Sequence, residues 1–318
     1  MGEANRYTRR DFLGRSASCA AHIGLMSAFA PMWSRELWAA QERFPVVASE
    51  PWGRIERVAE GIWALVSDPF QDRKTLCNGG IVAGRNGVVV IEAFGSDEGA
   101  RWVNEQARRL AGRAPTHVVL THYHSDHTSG LRALVEGDVE LLATPVTRDL
   151  TRENDNAPNP ILNFATPLDT IRPTEIDLGD RSLIIVPRRG HTDSDITIEV
   201  PDASVVFCGD LVWNAMFPNY MDATPSRLTQ AVRLMRASNA STYVPGHGPL
   251  ADAALLDRYI SLLDDVEAAA RRAIERGITA DQAGSEYRMP AGMADWERFR
   301  PEYFATAIGS WMAELGAR

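Results

Sequence analysis

The chain has 318 residues, 45% of them hydrophobic and 24% charged, and a formal net charge of −9. That composition belongs to a globular protein and excludes collagen-like and disordered classes; with three cysteines it also excludes a disulfide scaffold. The acidic balance argues against a protein whose task is gripping phosphate backbones.

At the N-terminus, Thr8-Arg9-Arg10-Asp11-Phe12-Leu13-Gly14 sets paired arginines before a bulky apolar pair, and no acidic residue occurs from Ala17 to Ala30. That order is the pattern of a bacterial export signal of the twin-arginine (Tat) type. Residues 1–40 are therefore expected to be a signal peptide, with cleavage near Ala30 or near Ala40, and the protein periplasmic or secreted. The membrane would be met only through this segment or the export machinery. Residues 41–318 then carry a net charge of −11, which weakens a nucleic-acid role further. Cys77 and Cys208 remain, able either to pair or to stay as buried thiols.

Residues 41–318 read as one domain with a helical C-terminal extension. Arg54–Val58 and Gly61–Val66 are β-rich runs that suggest a hairpin across Ala59-Glu60. Ile81–Ala83 and Val88–Glu92 flank Gly84-Arg85-Asn86-Gly87, whose Asn-Gly is a hairpin signal. Asp97–Leu110 has helical spacing, with Ala100, Val103, Ala107 and Leu110 on one face. Val118–Leu120 is an apolar strand, Leu141–Ala143 another, and Val146–Arg152 a short helix. Asn154–Pro167, rich in Asn and Pro, reads as an irregular loop of the kind that forms a lid or binding surface. Strands are expected at Glu175–Leu178, Leu183–Val186, Ile196–Val200, Ser204–Cys208 and Thr242–Val244. Helices are expected at Pro225–Ala237, Ala251–Arg276 and Glu286–Leu315, the last broken at Pro290 and Pro301. This order suggests two packed sheets with helices outside, an α/β layered architecture.

The chemistry sits in the histidines. Five of the seven fall in three short motifs. Thr121-His122-Tyr123-His124-Ser125-Asp126-His127 follows the strand at Val118–Leu120 and offers four metal ligands within six residues. Gly190-His191-Thr192, Cys208-Gly209-Asp210 and Pro245-Gly246-His247-Gly248 each add one ligand at an expected strand end, beside a glycine that lets the backbone turn. Imidazole with carboxylate suits zinc, or less specifically iron or manganese. His122, His124, Asp126, His127, His191, Asp210 and His247 are too many for one tetrahedral ion and the right number for two ions sharing a bridge. Tyr123 is expected to point away from the ligands, and His117 to be structural. Asp193 and Asp195 are read as solvated or capping groups, with a supporting role beside His191 as the alternative.

His-x-His-x-Asp-His followed by a lone Gly-His, a Gly-Asp and a Gly-His resembles the metallo-β-lactamase superfamily, over roughly Ile55 to Pro249. The resemblance implies a four-layer αββα sandwich. It implies one zinc on His122, His124 and His191, a second on Asp126, His127 and His247, and Asp210 bridging, as in the glyoxalase II and lactonase type of site. A hydroxide between the ions would attack a carbonyl, with Asp126 as the catalytic residue that orients it and returns a proton. Two departures stand out: class B β-lactamases typically carry Cys or Ser where Asp210 stands, and relatives often carry Asp where Glu92 stands. The substrate is expected to be a small molecule, ranked as lactone or ester, then β-lactam, then thioester. The alternatives are an iron-dependent sulfur dioxygenase of the same superfamily and a non-catalytic metal-binding protein. Residues 70–78, the loop at Asn154–Pro167, and Trp213, Met216, Phe217 and Tyr220 are candidate pocket walls, the last four equally able to pack under the next helix. Oligomeric state is open, with Trp311 as a candidate contact.

Overall fold

The computed structural model describes residues 43–68, 72–154 and 159–316. The export-signal reading on residues 1–40, with Cys19 and His22, lies outside them, as do residues 70 and 71 of one expected pocket wall. Among the described residues, two sheets stack face to face. The first takes its strands in chain order: β1 (Val46–Glu50), β2 (Gly53–Ala59), β3 (Ile62–Ser67), β4 (Gly79–Ala83), β5 (Val88–Ile91), β6 (His117–Val119), β7 (Glu140–Ala143) and β8 (Thr166–Pro167). Neighbours from β1 to β5 are antiparallel and those from β5 to β8 parallel. The second sheet contains β9 (Thr174–Asp177), β10 (Ser182–Pro187), β11 (Ile196–Val200), β12 (Val205–Trp213) and β13 (Thr242–His247), with only the β12–β13 pair parallel.

Both faces of the first sheet are apolar, which is why its strands read as continuous hydrophobic runs. Ile62, Ala64 and Val66 of β3 face the second sheet and join one core with Leu183, Ile185 and Phe207. Trp63 and Leu65 point the other way and join a second core with helix α1 (Asp97–Ala111), whose Ala100, Val103 and Ala107 are buried. Ser96 caps α1 by accepting from the Gly99 backbone N–H, and Gly112 ends it in the left-handed region. Helices α4 (Pro225–Ala237) and α5 (Ala253–Arg276) cover the outer face of the second sheet, completing an αββα sandwich. Short helices α2 (Ser125–Thr128) and α3 (Pro145–Asn154) follow β6 and β7. Helices α6 (Ala280–Glu286) and α7 (Tyr303–Gly316) close the chain. No helix of the described residues is long and apolar enough to cross a membrane.

Several expectations are corrected. The first hairpin turns at Glu60-Gly61, one residue later than the expected Ala59-Glu60, and is preceded by β1, a strand the sequence pattern does not signal. The strand expected to stop at Cys208 runs on to Trp213, through an irregular register at Gly209, so Asp210 lies inside it. The strand expected to stop at Val244 reaches His247. The expected loop at Asn154–Pro167 contains a 3-10 turn at Pro160–Phe164 and the short β8. The helix expected over Glu286–Leu315 forms only from Tyr303: α6 ends at Glu286, and between Pro290 and Pro301 the backbone makes a single 3-10 turn at Ala291–Met293. Cys77 and Cys208 are both buried and unpaired. Trp311 is buried within its own chain, so its side chain offers no contact surface to a partner.

Candidate metal centre

All seven expected ligands converge at one end of the sandwich, in the seam between the sheets. His122 and His124 follow β6, Asp126 and His127 belong to α2, and His191 lies between β10 and β11. Asp210 comes from β12 and His247 ends β13. Cross-sheet hydrogen bonds fix the seam there: Ile196 N–H donates to Thr121 O and Asn78 N–H to Gly246 O, at 2.9 and 2.7 Å.

The ligand atoms form two sets. His122 Nε2 and His191 Nε2 lie 3.1 and 3.0 Å from His124 Nδ1. Asp126 Oδ2 lies 3.5 Å from His127 Nε2 and 3.3 Å from His247 Nε2. Asp210 stands between the sets, with Oδ2 at 3.4 Å from His191 Nε2 and 3.3 Å from His247 Nε2, and Oδ1 at 3.1 Å from His127 Nε2. Donor atoms on one tetrahedral zinc, each about 2.0–2.1 Å from it, are spaced about 3.3–3.4 Å apart. Both sets therefore have the spacing of a metal site. Asp126 Oδ1, His127 Nε2 and Asp210 Oδ1 are buried and make no hydrogen bond among the described residues. Buried polar atoms without partners are costly; cations held by the two sets would satisfy His127 Nε2 and Asp210 Oδ1, and leave Asp126 Oδ1 to a water.

Two glycines make the approach possible. Gly209 adopts φ 52°, and a Cβ there would meet Thr121 Oγ1 at 2.6 Å. A Cβ on Gly246 would sit 1.9 Å from Asp210 Oδ1. Only hydrogen at these positions lets β12 and β13 bring Asp210 and His247 up to β6.

The charge pattern differs between the sets. Burial pushes His122 well below the ordinary imidazole value and His191 down to about 4, so both rings are neutral and keep a lone pair for a metal. At His247 burial works the same way but the Asp210 and Asp126 carboxylates outweigh it, raising the ring to about 9. His127 is likewise raised against burial, by Cys77, Glu92, Asp210 and Asp126. Asp126 and Asp210 are held below the usual carboxylate range, against burial, chiefly by His127 and His247. In the metal-free chain, protons on His127 and His247 thus balance the two buried aspartates.

A second ring of residues orients the imidazoles through their outer nitrogens. Glu92 Oε1 accepts from Thr121 Oγ1 at 2.5 Å and lies 3.0 Å from His127 Nδ1, while Thr121 Oγ1 is 3.0 Å from His122 Nδ1. Glu92 is held at φ 77°, a region rare for a residue with a side chain. His191 Nδ1 lies 3.2 Å from Asn219 O, and Asp195 accepts from the backbone N–H of His191 and Thr192. Asp195 is buried, not solvated, and burial raises its carboxyl to about 7. Asp193 is exposed, near Arg227. His117 stays outside the site, beside Thr116 and Glu140.

The residue that sequence reasoning missed is Asp222. Its Oδ2 lies 3.0 Å from His124 Nε2 and accepts from the Tyr123 hydroxyl at 2.8 Å. Tyr123 does point away from the ligand atoms, but it serves the site through this shared carboxylate. Asp222 lies 98 positions from His124, outside every motif, so no spacing signal could have found it. The candidate wall divides: Phe217 and Tyr220 pack toward the C-terminal helices, while the Trp213 ring sits 4.3 Å from that of His247. From the wall at residues 70–78, Cys77 Sγ donates to Asp126 O and Asn78 ties to Pro245 and Gly248.

Comparison with known proteins agrees with this arrangement. The family model described as the metallo-beta-lactamase superfamily matches residues 73–247. A metallo-beta-lactamase type 2 of Bacillus cereus is 24% identical over 217 residues, covering 66% of this chain and 82% of the relative. A hydroxyacylglutathione hydrolase of Hahella chejuensis is 27% identical over 170 residues, covering 48% of this chain and 59% of the relative. Among solved structures, the mono-zinc form of the metallo-beta-lactamase FIM-1 from Pseudomonas aeruginosa superposes with a TM-score of 0.57 at 21% identity, covering 69% of this chain and 97% of that one. A family match over more than half of the residues, on a fold and a clustered His/Asp site of this form, shows that the chain belongs to the metallo-beta-lactamase superfamily.

Proposed function

We propose that this chain is an exported hydrolase that opens the acyl bond of a small lactone or ester, using two zinc ions. His122, His124 and His191 would hold one, Asp126, His127 and His247 the other, and Asp210 would serve both. The observation that carries the reading is Asp210: one buried carboxylate lies within 3.1–3.4 Å of ligand atoms from both sets. The metals, when bound, supply an activated water and a Lewis acid for the carbonyl oxygen. The chain supplies the rest. Asp126 turns Oδ2 toward His127 and His247 and leaves Oδ1 without a partner, so Oδ1 can orient the attacking water and pass its proton to the leaving oxygen. Burial of the donor set limits bulk water and strengthens each charge interaction.

An oxygen ligand at position 210, where β-lactamases typically carry Cys or Ser, favours a lactone or ester over a β-lactam. The second ligand set argues against a single-iron dioxygenase, which would have no use for His127 and His247. Export by the twin-arginine route belongs to the proposal and rests on the order Thr8-Arg9-Arg10-Asp11-Phe12-Leu13.

Metal analysis joined to a panel of lactone, ester, thioester, β-lactam and phosphodiester substrates tests the function. Two zinc ions per chain with lactone or ester turnover is the expected result. One iron per chain with oxygen consumption overturns it. Asp210→Ala should lose hydrolysis by at least about 100-fold, the scale of removing one key group from such a site, while circular dichroism stays native. An active Asp210→Ala enzyme refutes the bridging role.

A further inference from the structure

The matched family region ends at residue 247, yet the chain continues through three more helices. Part of that continuation returns to the candidate metal centre. Glu297 pairs in parallel with Met216: Glu297 N–H donates to Ala215 O at 2.9 Å, and Phe217 N–H donates to Glu297 O at 2.8 Å. Residues 215–217 lie just beyond β12, the strand that carries Asp210, so this isolated bridge fastens the C-terminal segment beside the site. The attachment is repeated further on, where Ser310 Oγ donates to Tyr220 O and Ser226 N–H to the Glu314 carboxylate.

This pairing delivers Phe299 to an aromatic stack that ends on a ligand. The Phe299 ring stands edge-on to Trp213 at 5.6 Å and edge-on to His247 at 6.4 Å. Trp213 is tilted against His247 at 4.3 Å, and Asn214 N–H donates to His247 O at 3.0 Å. Each of the three rings is buried. His247 therefore has its backbone set by β12 and one side of its ring set by Trp213 and Phe299. His122 and His191 instead have hydrogen-bond partners at their outer nitrogens, and His127 Nδ1 faces the Glu92 carboxylate at 3.0 Å. Edge-to-face contacts favour particular ring orientations beyond the area they bury, and so hold one ring rotamer over another.

We infer that Phe299, carried by the C-terminal segment, is a positioning residue that holds the His247 imidazole, through Trp213, in the orientation needed by the second ligand set. The C-terminal extension is then part of the metal centre, acting on one of its two ligand sets. The inference rests on the two-metal reading above, and the test separates the two.

Zinc affinity is measured by chelator competition on the full chain, for wild type, Phe299→Leu, Phe304→Leu and His247→Ala, with cobalt(II) absorption as a second readout. Phe304 belongs to the same segment and packs on Phe217 and Tyr287, away from the ligands. Phe304→Leu thus reports a purely structural loss. His247→Ala removes a ligand and so marks which equivalent belongs to the second set. Phe299→Leu is expected to weaken that equivalent about tenfold, the low end for residues that orient a ligand, and to leave the other unchanged. Phe304→Leu should change neither, and Phe299→Tyr, which restores a ring, should recover the loss. Two wild-type affinities in Phe299→Leu, or equal losses in Phe299→Leu and Phe304→Leu, overturn the inference. A wild-type chain that binds fewer than two zinc ions overturns the two-metal reading, and the inference with it. If Phe299→Leu does not fold, Phe299→Met takes its place, and the same outcomes support or overturn the inference.

Discussion

Asp222 shows how a single side chain can matter without belonging to any motif. It is partly exposed, and burial works against its charge, yet hydrogen bonds from His124 and Tyr123 hold its carboxyl below the usual range. Because His124 presents Nδ1 to the other ligands, Nε2 must carry the proton, and Asp222 is the acceptor that fixes that tautomer. Asp222→Asn should weaken metal binding by the His122, His124 and His191 set about 10- to 100-fold. Thermal stability of the metal-free chain should change little, since the carboxylate is at the surface. Calorimetric zinc titration of the variant checks both, and unchanged affinity removes Asp222 from the site. Glu92 faces His127 Nδ1 at 3.0 Å and, through Thr121, reaches His122. It was visible in the sequence only because it ends a hairpin strand in a recognisable motif.

At the scale of the element, the parallel pair of β12 and β13 decides whether the ligands meet. Asp210 faces the site from within a strand, and His247 reaches it at the end of its neighbour. Their approach depends on the absence of a Cβ at Gly246, because that atom would fall on Asp210 Oδ1. Gly246→Ala is therefore expected to displace Asp210, to cost about 1–3 kcal/mol as an overpacked core position does, and to lower zinc binding at both sets together. Chemical denaturation and metal content of the purified variant test this. A variant with native stability and two zinc ions would show that the strands can separate without harm. The sequence placed Gly-Asp and Gly-His at strand ends but stopped both strands short. Polar residues interrupt the apolar pattern, and the interruption is the site itself.

At the scale of the whole molecule, the site makes folding depend on pH in a direction that can be worked out. His127 and His247 have raised values in the folded, metal-free chain, so the stability they contribute is present below about pH 6.5 and is lost as pH rises toward about 9 at His247. Asp195 acts lower in the range: its unfolded carboxyl ionises from about pH 3.8 while burial holds the folded one protonated to about 7, so that loss of stability is complete near pH 7. The metal-free chain should therefore melt at progressively lower temperature between about pH 6.5 and 9, the window these groups define. Zinc binds neutral imidazole, so its stabilising effect should grow over the same interval. Thermal melts with chelator and with zinc across that range provide the check, and a metal-free melting temperature that rises with pH contradicts the charge assignment. The C-terminal helices add a second global feature, because they close over residues 215–226 and tie the end of the chain to the site wall.

By itself the sequence determined the layered α/β class, the order of most elements and the identity of the seven candidate ligands. It could do so because apolar periodicity is local and because those ligands occur in short motifs beside strands. The tertiary structure decided what depends on distance across the chain. It joined β12 to β13 and turned Asp210 between two ligand sets. It brought Asp222 to His124 and carried Phe299 to the aromatic stack on His247. None of these pairs is linked by spacing or composition. Each arises because close packing of the two sheets and of the C-terminal segment against them brings distant parts of the chain together at one end of the seam.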